Sequence, residues 1–353
     1  MAGWPAVKFE SREAQTQKHG ARSIASLARL EPKARGGFHF IQNPSYSSLL
    51  TPSMSLHESL SDLAVQVIGE RLRTITGSKS NLEDFKLPLG DPGLFGPESV
   101  VWKVHANFTA MMVGGLSSLI VQSLHPRALS AVWDHSDFKN RLKDRLGRTA
   151  FFVAATNYGG HAMAMGAIHR VNEIHAKIKG VDLEGNPYVA NEPALIRWVH
   201  IAEVSSFLSA YQHLSKNPLA AHECDQYIHE MAKIGRWLGA TELPLTWSST
   251  QFELAQYRQE LRFDARAQEI CAVIENYPTD LWDKPFMQLT LKAALDVMPT
   301  WIVQFIGKQP ACALQSKATQ LALILGSEPV QWMLQKQGVQ AIALQRVSSA
   351  AAG

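Results

Sequence analysis

Ala106–Leu124 reads ANFTAMMVGGLSSLIVQSL, the longest stretch of the chain without a charged side chain or a histidine. Its length would suit a membrane span, but Asn107, Thr109, Ser117, Ser118, Gln122 and Ser123 bring too many hydrogen-bonding groups for lipid. A helix buried in a protein core accommodates both the apolar majority and these small polar side chains. The stretch therefore reads as one long core helix from Trp102 to Leu124. It stops near His125-Pro126, because the residue before a proline is pushed out of the α region.

Outward from this helix the same signature repeats. On its N-terminal side Leu87–Pro97 holds three prolines and three glycines and is loop. Ser55–Thr76 carries Leu60, Leu63, Val67 and Leu72 at near-helical spacing, and residues 1–53 have no sustained period. On the C-terminal side, helical patterns run through Pro126–Val132, Asp137–Ala155, His161–Lys179, Glu192–Leu214, Ala220–Leu238, Ser249–Cys271 and Phe286–Ile306. Glu184–Tyr188 reads as a turn between two of these helices. Few segments alternate as strands do, and no repeat of fixed period is visible. The fold class is all-α, with a single multi-helix domain over 54–345 behind an irregular arm and linker, 1–53.

With 353 residues, 46% of them hydrophobic and 18% charged, the chain can bury a substantial core and is not a disordered protein. Residues 1–36 hold seven basic and three acidic side chains, a net +4, which leaves −1 for the rest of a chain whose total is +3. A nearly neutral body has no basic footprint for nucleic acid. Cys224, Cys271 and Cys312 lie far apart, without a C-x-x-C pair, and read as free thiols of a reducing compartment. The N-terminus lacks a signal-peptide core, and Phe286–Ile306 is interrupted by Lys292, Asp296 and Pro299, so a cytoplasmic protein without a transmembrane segment is expected. Dinucleotide, Walker and nucleophile-elbow glycine motifs are absent. His57-Glu58, His222-Glu223 and His229-Glu230 begin like zinc-protease helices, but Ser61, Gln226 and Lys233 stand where the second histidine belongs.

Two features remain. His175 falls on the stripe of Ile168, Val171 and Ile178 and should face the core. A buried imidazole needs a partner for each ring nitrogen, and a metal or haem iron is one such partner, although the pattern alone favours an ordinary core histidine. On the preceding helix Arg145, Arg148 and Thr149 share an arc of roughly 100°. Such a face is suited to paired carboxylates such as haem propionates, or equally to plain solvation beside Lys139, Arg141 and Lys143.

In order along the chain stand Trp102-x-x-His105, Gly114-Gly115, His125-Pro126, Asp134-His135-Ser136-x-Phe138, Arg145-x-x-x-Thr149, Arg170-Val171-x-x-x-His175-x-x-x-x-Gly180, Tyr188, Trp198-Val199-His200 and Ala210-Tyr211. As an ordered set, over about residues 98–262, they resemble the latex-clearing-protein (rubber oxygenase) family, which includes the fungal oxygenase of mycophenolic acid biosynthesis.

The resemblance implies an all-α fold that binds haem b and uses dioxygen, in known members to cleave carbon–carbon double bonds of isoprenoid chains. It implies that His175 is the proximal iron ligand and that Arg145 and Thr149 belong to the haem-site motif. Trp102, His105, His125, Asp134, His135, His200 and Tyr211 match recurrent positions, for which a structural role is expected. Rubber-cleaving members carry lysine where this chain has Arg148, which is always charged and a poor iron ligand. They also place a glutamate near the haem as a base on an earlier helix. No counterpart is identified in this chain, and Asp134 is the nearest carboxylate in the matched region. Arg148 and Asp134 are thus the candidate catalytic side chains. The expected activity is a haem-dependent oxygenase acting on a hydrophobic, isoprenoid-like small molecule, with an unidentified electron donor. The alternatives are another haem oxidation (peroxygenase, hydroxylase or dehydrogenase), a non-catalytic carrier of haem or an apolar ligand, and a non-haem metal held by helical histidines.

Overall fold

The computed structural model describes residues 82–277 and 283–349, all of them in one compact unit, Asp62–Gly353. The arm over 1–53 and the helix expected over Ser55–Thr76 lie outside the described residues.

The long core helix is two helices. Helix α1, Val100–His105, begins where Ser99 Oγ accepts the Trp102 amide. Helix α2, Phe108–Gln122, begins anew where Asn107 Oδ1 accepts the Ala110 amide at 2.9 Å. An asparagine that bonds its own downstream backbone nucleates a fresh N-terminus rather than letting the previous helix continue. As expected, α2 ends before His125-Pro126, and α3, Pro126–His135, starts with the proline in its first turn. The α2 and α3 axes are bent by 102°, and no single helix among the described residues is long and apolar enough to cross a membrane.

Helix α4, Phe138–Tyr158, and α5, His161–His175, are separated by Gly159-Gly160. After α5 the chain forms a short antiparallel hairpin, β1 (Lys179–Val181) with β2 (Pro187–Val189), in which Gly180 faces Tyr188. The expected turn is the tip of this hairpin. Asp182 Oδ1 accepts the amides of Glu184 and Asn186, and Gly185 takes φ +85°. A Cβ at position 180 would lie 2.6 Å from Tyr188 Oη, so glycine is required there for the ring to cross the strand.

Helix α6, Pro193–Leu214, runs through the centre of the core and packs along α2. The approach is close at Gly114, where a Cβ would sit 2.7 Å from Phe207 Cδ1 and 2.9 Å from Phe207 Cα. Helix α7, Ala221–Trp237, closes one side of α6. The helix expected over Ser249–Cys271 is two: α8, Trp247–Gln256, passes through a 3-10 turn, and α9, Ala265–Glu275, starts where Asp264 Oδ1 accepts the Ala267 amide. Likewise Phe286–Ile306 divides at Pro299 into α10, Lys284–Asp296, and α11, Thr300–Phe305. Helix α12, Ala313–Gln337, and α13, Val339–Ser348, are the last among the described residues. Arg346 of α13, 1% exposed, donates to the carbonyls of Phe85 and Asp91 (2.9 Å each) and joins this last helix to the first described residues.

Candidate functional site

A cavity opens among α2, α3, α4, α6 and α7, with the C-terminus of α5 at its wall. The space open to the centres of water-sized molecules is about 170 Å³. Since one water takes roughly 10–15 Å³ by that measure, this is room for a sizeable molecule and not for a single trapped water. Most of the lining is aliphatic or aromatic, including Val132, Phe152, Leu195, Val199, Met231 and Ile234. Into this apolar surface project Arg145, Asn157, His175, His200 and Glu203.

His175 is the last residue of α5, placed there by the same helical spacing that sets Ile168 in the core. Its Nδ1 is buried and has no hydrogen-bond partner among the described residues. Desolvation first, and the Arg145 charge second, lower its pKa, so the ring is neutral near pH 7 and keeps a lone pair to give.

Arg145 reaches the cavity from α4. Its Nη1 donates to Ser136 Oγ at 3.1 Å, and Ser136 Oγ in turn donates to the Val132 carbonyl at 2.6 Å, which anchors the guanidinium to the end of α3. Among the described residues no carboxylate stands within salt-bridge distance of Arg145. Burial, with Arg148 adding repulsion, lowers its pKa to about 10. The cation persists at neutral pH, poorly solvated and without a counter-charge. An anionic group on a ligand would relieve both conditions.

The other sequence candidates stand apart from the cavity. Arg148 and Thr149 are exposed, and Thr149 Oγ1 donates to the Arg145 carbonyl one turn back. Asp134 accepts the Tyr188 hydroxyl at 3.0 Å and pairs with Arg266 at 3.3 Å, tying α3 to the hairpin and to α9. His105 and His125 are buried against aromatic rings: His105 Nε2 meets the Tyr227 hydroxyl at 3.1 Å, and His125 lies 3.6 Å from Glu260. Burial takes His105 down to about 3, so it stays neutral. His135 Nε2 contacts the Lys179 carbonyl at 3.1 Å.

Sequence reasoning passed over Glu203 and Asn157. Glu203 is the only acidic side chain in α6, and it lines the cavity. Burial raises its pKa to about 7. Asn157, near the end of α4, is 1% exposed, and neither Oδ1 nor Nδ2 has a hydrogen-bond partner. The available signal was, for Glu203, a lone carboxylate between Ala202 and Val204; Asn157, between Thr156 and Tyr158, carried no such mark. His200, one turn before Glu203, also lines the cavity, and burial lowers it to about 4.

Among the described residues no group of three or more His, Cys, Asp and Glu converges as a site for a bare metal ion. Cys224, Cys271 and Cys312 are free thiols, the first two buried. No curated protein and no solved structure matches the chain. A cavity reached by two neutral imidazoles and one guanidinium without a counter-charge accompanies a sequence match over residues 102–324 to the family described as ER-bound oxygenase mpaB/B′/rubber oxygenase, catalytic domain, and the chain belongs to that oxygenase family.

Proposed function

We propose that this cavity holds haem b, with His175 as the protein ligand to iron and Arg145 pairing a propionate, and that the protein uses dioxygen to oxidise a hydrophobic, isoprenoid-like small molecule, with cleavage of a carbon–carbon double bond as the favoured outcome. One observation carries the reading. The partnerless imidazole of His175 and the unpaired guanidinium of Arg145 meet at one apolar cavity, and a flat amphiphile with a metal centre and carboxylate edges would satisfy both. When bound, haem supplies a redox-active iron able to engage oxygen.

The chain's own side chains supply the rest. The low pKa of His175 keeps a nitrogen lone pair available at neutral pH. Arg145, braced by Ser136, presents charge and two-pronged geometry to a carboxylate. Phe152, Val199 and Ile234 exclude water and pack an alkene chain. Glu203, raised by burial to a pKa of about 7, lines the cavity and can give or take a proton near neutral pH.

The purified protein is expected to show a Soret band that shifts on reduction. His175→Ala should lose most of its haem while keeping its helical circular dichroism, because the rest of the α5 stripe is untouched. Full haem content in that variant would overturn the ligand assignment. Comparing dioxygen plus reductant with peroxide alone, by product analysis on isoprenoid alkenes, separates an oxygenase from a peroxygenase.

A further inference from the structure

The cavity has two chemically different ends. Arg145 and Asn157 both belong to α4 but are 12 residues apart, about 18 Å along the helix axis at 1.5 Å per residue. The Arg145 charge acts on His175, whereas at Glu203 no guanidinium charge is felt and desolvation alone acts. Asn157, by its place along α4, and Glu203, which no guanidinium influences, both line the cavity away from Arg145. One end therefore suits an anion and the other carries a carboxamide and a carboxyl without a fixed charge opposite them.

The unsatisfied groups at this second end are unusual. A buried amide with neither its N–H nor its C=O bonded costs on the order of 1–3 kcal/mol per lost partner, and proteins retain few of them. Both Asn157 atoms are in that state beside a cavity lined mainly by hydrocarbon. Water would have apolar neighbours on most sides there, while a ligand carrying one small polar group on an apolar body would satisfy the amide and fill the remainder. Asn157 offers a donor and an acceptor, and so does a carboxylic acid. The complementary group is uncharged and both donates and accepts.

We propose that Asn157 and Glu203 form a polar subsite at the end of the cavity away from Arg145, and that it takes the hydroxyl group of an otherwise apolar ligand. The ligand class is thus an alcohol with a hydrocarbon chain, not a bare hydrocarbon. This rests on the reading above only in that the same cavity admits the hydrophobic substrate; it does not depend on the oxidation chemistry.

Calorimetric titration of the 353-residue chain as isolated, with geraniol and with geranyl methyl ether, tests it. The two share a chain, but the ether lacks the donor that Asn157 Oδ1 requires. The wild type should bind geraniol about tenfold or more tightly than the ether, since a site built to bond a hydroxyl rejects an analogue that leaves its buried groups unpaired. Asn157→Leu, similar in size, should bring the ratio close to one. Glu203→Leu should lower it, whereas Glu203→Gln, which still donates and accepts, should largely keep it; circular dichroism verifies that each variant is folded. Equal affinities for the two probes in the wild type would overturn the subsite and leave the hydrophobic cavity intact. A wild type that binds neither probe would overturn the subsite and the hydrophobic-substrate reading together. A ratio unchanged in Asn157→Leu would remove the assignment to this residue.

Discussion

Glu203 ties folding stability to pH through one carboxyl. Its pKa is raised from 4.5 in the unfolded chain to about 7 in the folded protein, so between these values the folded state keeps a proton that the unfolded state has released. Its stabilising contribution is whole below about pH 4.5 and is lost as pH rises through about 7. The loss amounts to at most about 3 kcal/mol, at 1.36 kcal/mol per pH unit. His105 and His200, held neutral by burial, act in the opposite direction and weaken the fold as pH falls below 6.5. Comparing Glu203→Gln with the wild type by urea unfolding cancels the histidines. The variant should gain relative stability between pH 5 and pH 8, and an equal difference at both pH values would refute the shifted carboxyl. Arg148 is the matching case on the outside. Because it is exposed and off the cavity wall, Arg148→Lys should leave the absorption spectrum of the haem-loaded protein unchanged up to alkaline pH. A new low-spin fraction growing with pH would put this side chain at the iron instead. Helical spacing put His175 on the core side of its helix and left Arg145 open between a ligand face and a solvated one; the family resemblance singled out both, and both line the cavity. Glu203 and Asn157 were not legible in the sequence, because a void formed where several helices converge leaves no period in any one of them.

Among the elements, helix boundaries account for most differences between sequence and structure, and they share one cause. Apolar periodicity continues across Asn107, Asp264 and Pro299, so the pattern predicts unbroken helices over all three. Locally, two side chains that bond downstream amides and one ring without an N–H end or restart the backbone ladder. The hairpin was invisible for a related reason: three-residue strands are too short to show alternation. What the sequence carried well was the buried α2 and its end at His125-Pro126. Its pairing with α6 gives a sharp contrast between neighbours. Gly114→Ala would force a methyl against the Phe207 backbone and should cost about 1–3 kcal/mol, read as a lowered Tm. Gly115→Ala meets its nearest heavy atom only at 4.0 Å, and should be neutral or stabilise by about 0.5–1 kcal/mol through helix propensity. Similar losses at both positions would mean that helix geometry, not the approach of α6, dictates the glycines.

At the scale of the whole molecule, Arg346 is the buried cation that holds α13 onto the first described turn, Leu82–Lys86, and the loop after it. Its partners are carbonyls and not carboxylates, and its own carbonyl accepts the Gly90 amide at 2.8 Å. Removing the side chain in Arg346→Ala strands two carbonyls and leaves a void, for a loss of about 3 kcal/mol in chemical denaturation. The hydrogen bond to Phe85 spans 261 positions of sequence. Closing so long a loop is entropically the least rewarding early step in folding, so this contact belongs after the rate-limiting barrier. In a stopped-flow experiment Arg346→Ala should therefore accelerate unfolding and leave the refolding rate nearly unchanged. The chain's two described ends then act as a clasp on lifetime: how long the folded protein persists is set at Arg346, far in sequence from the helices that enclose the cavity.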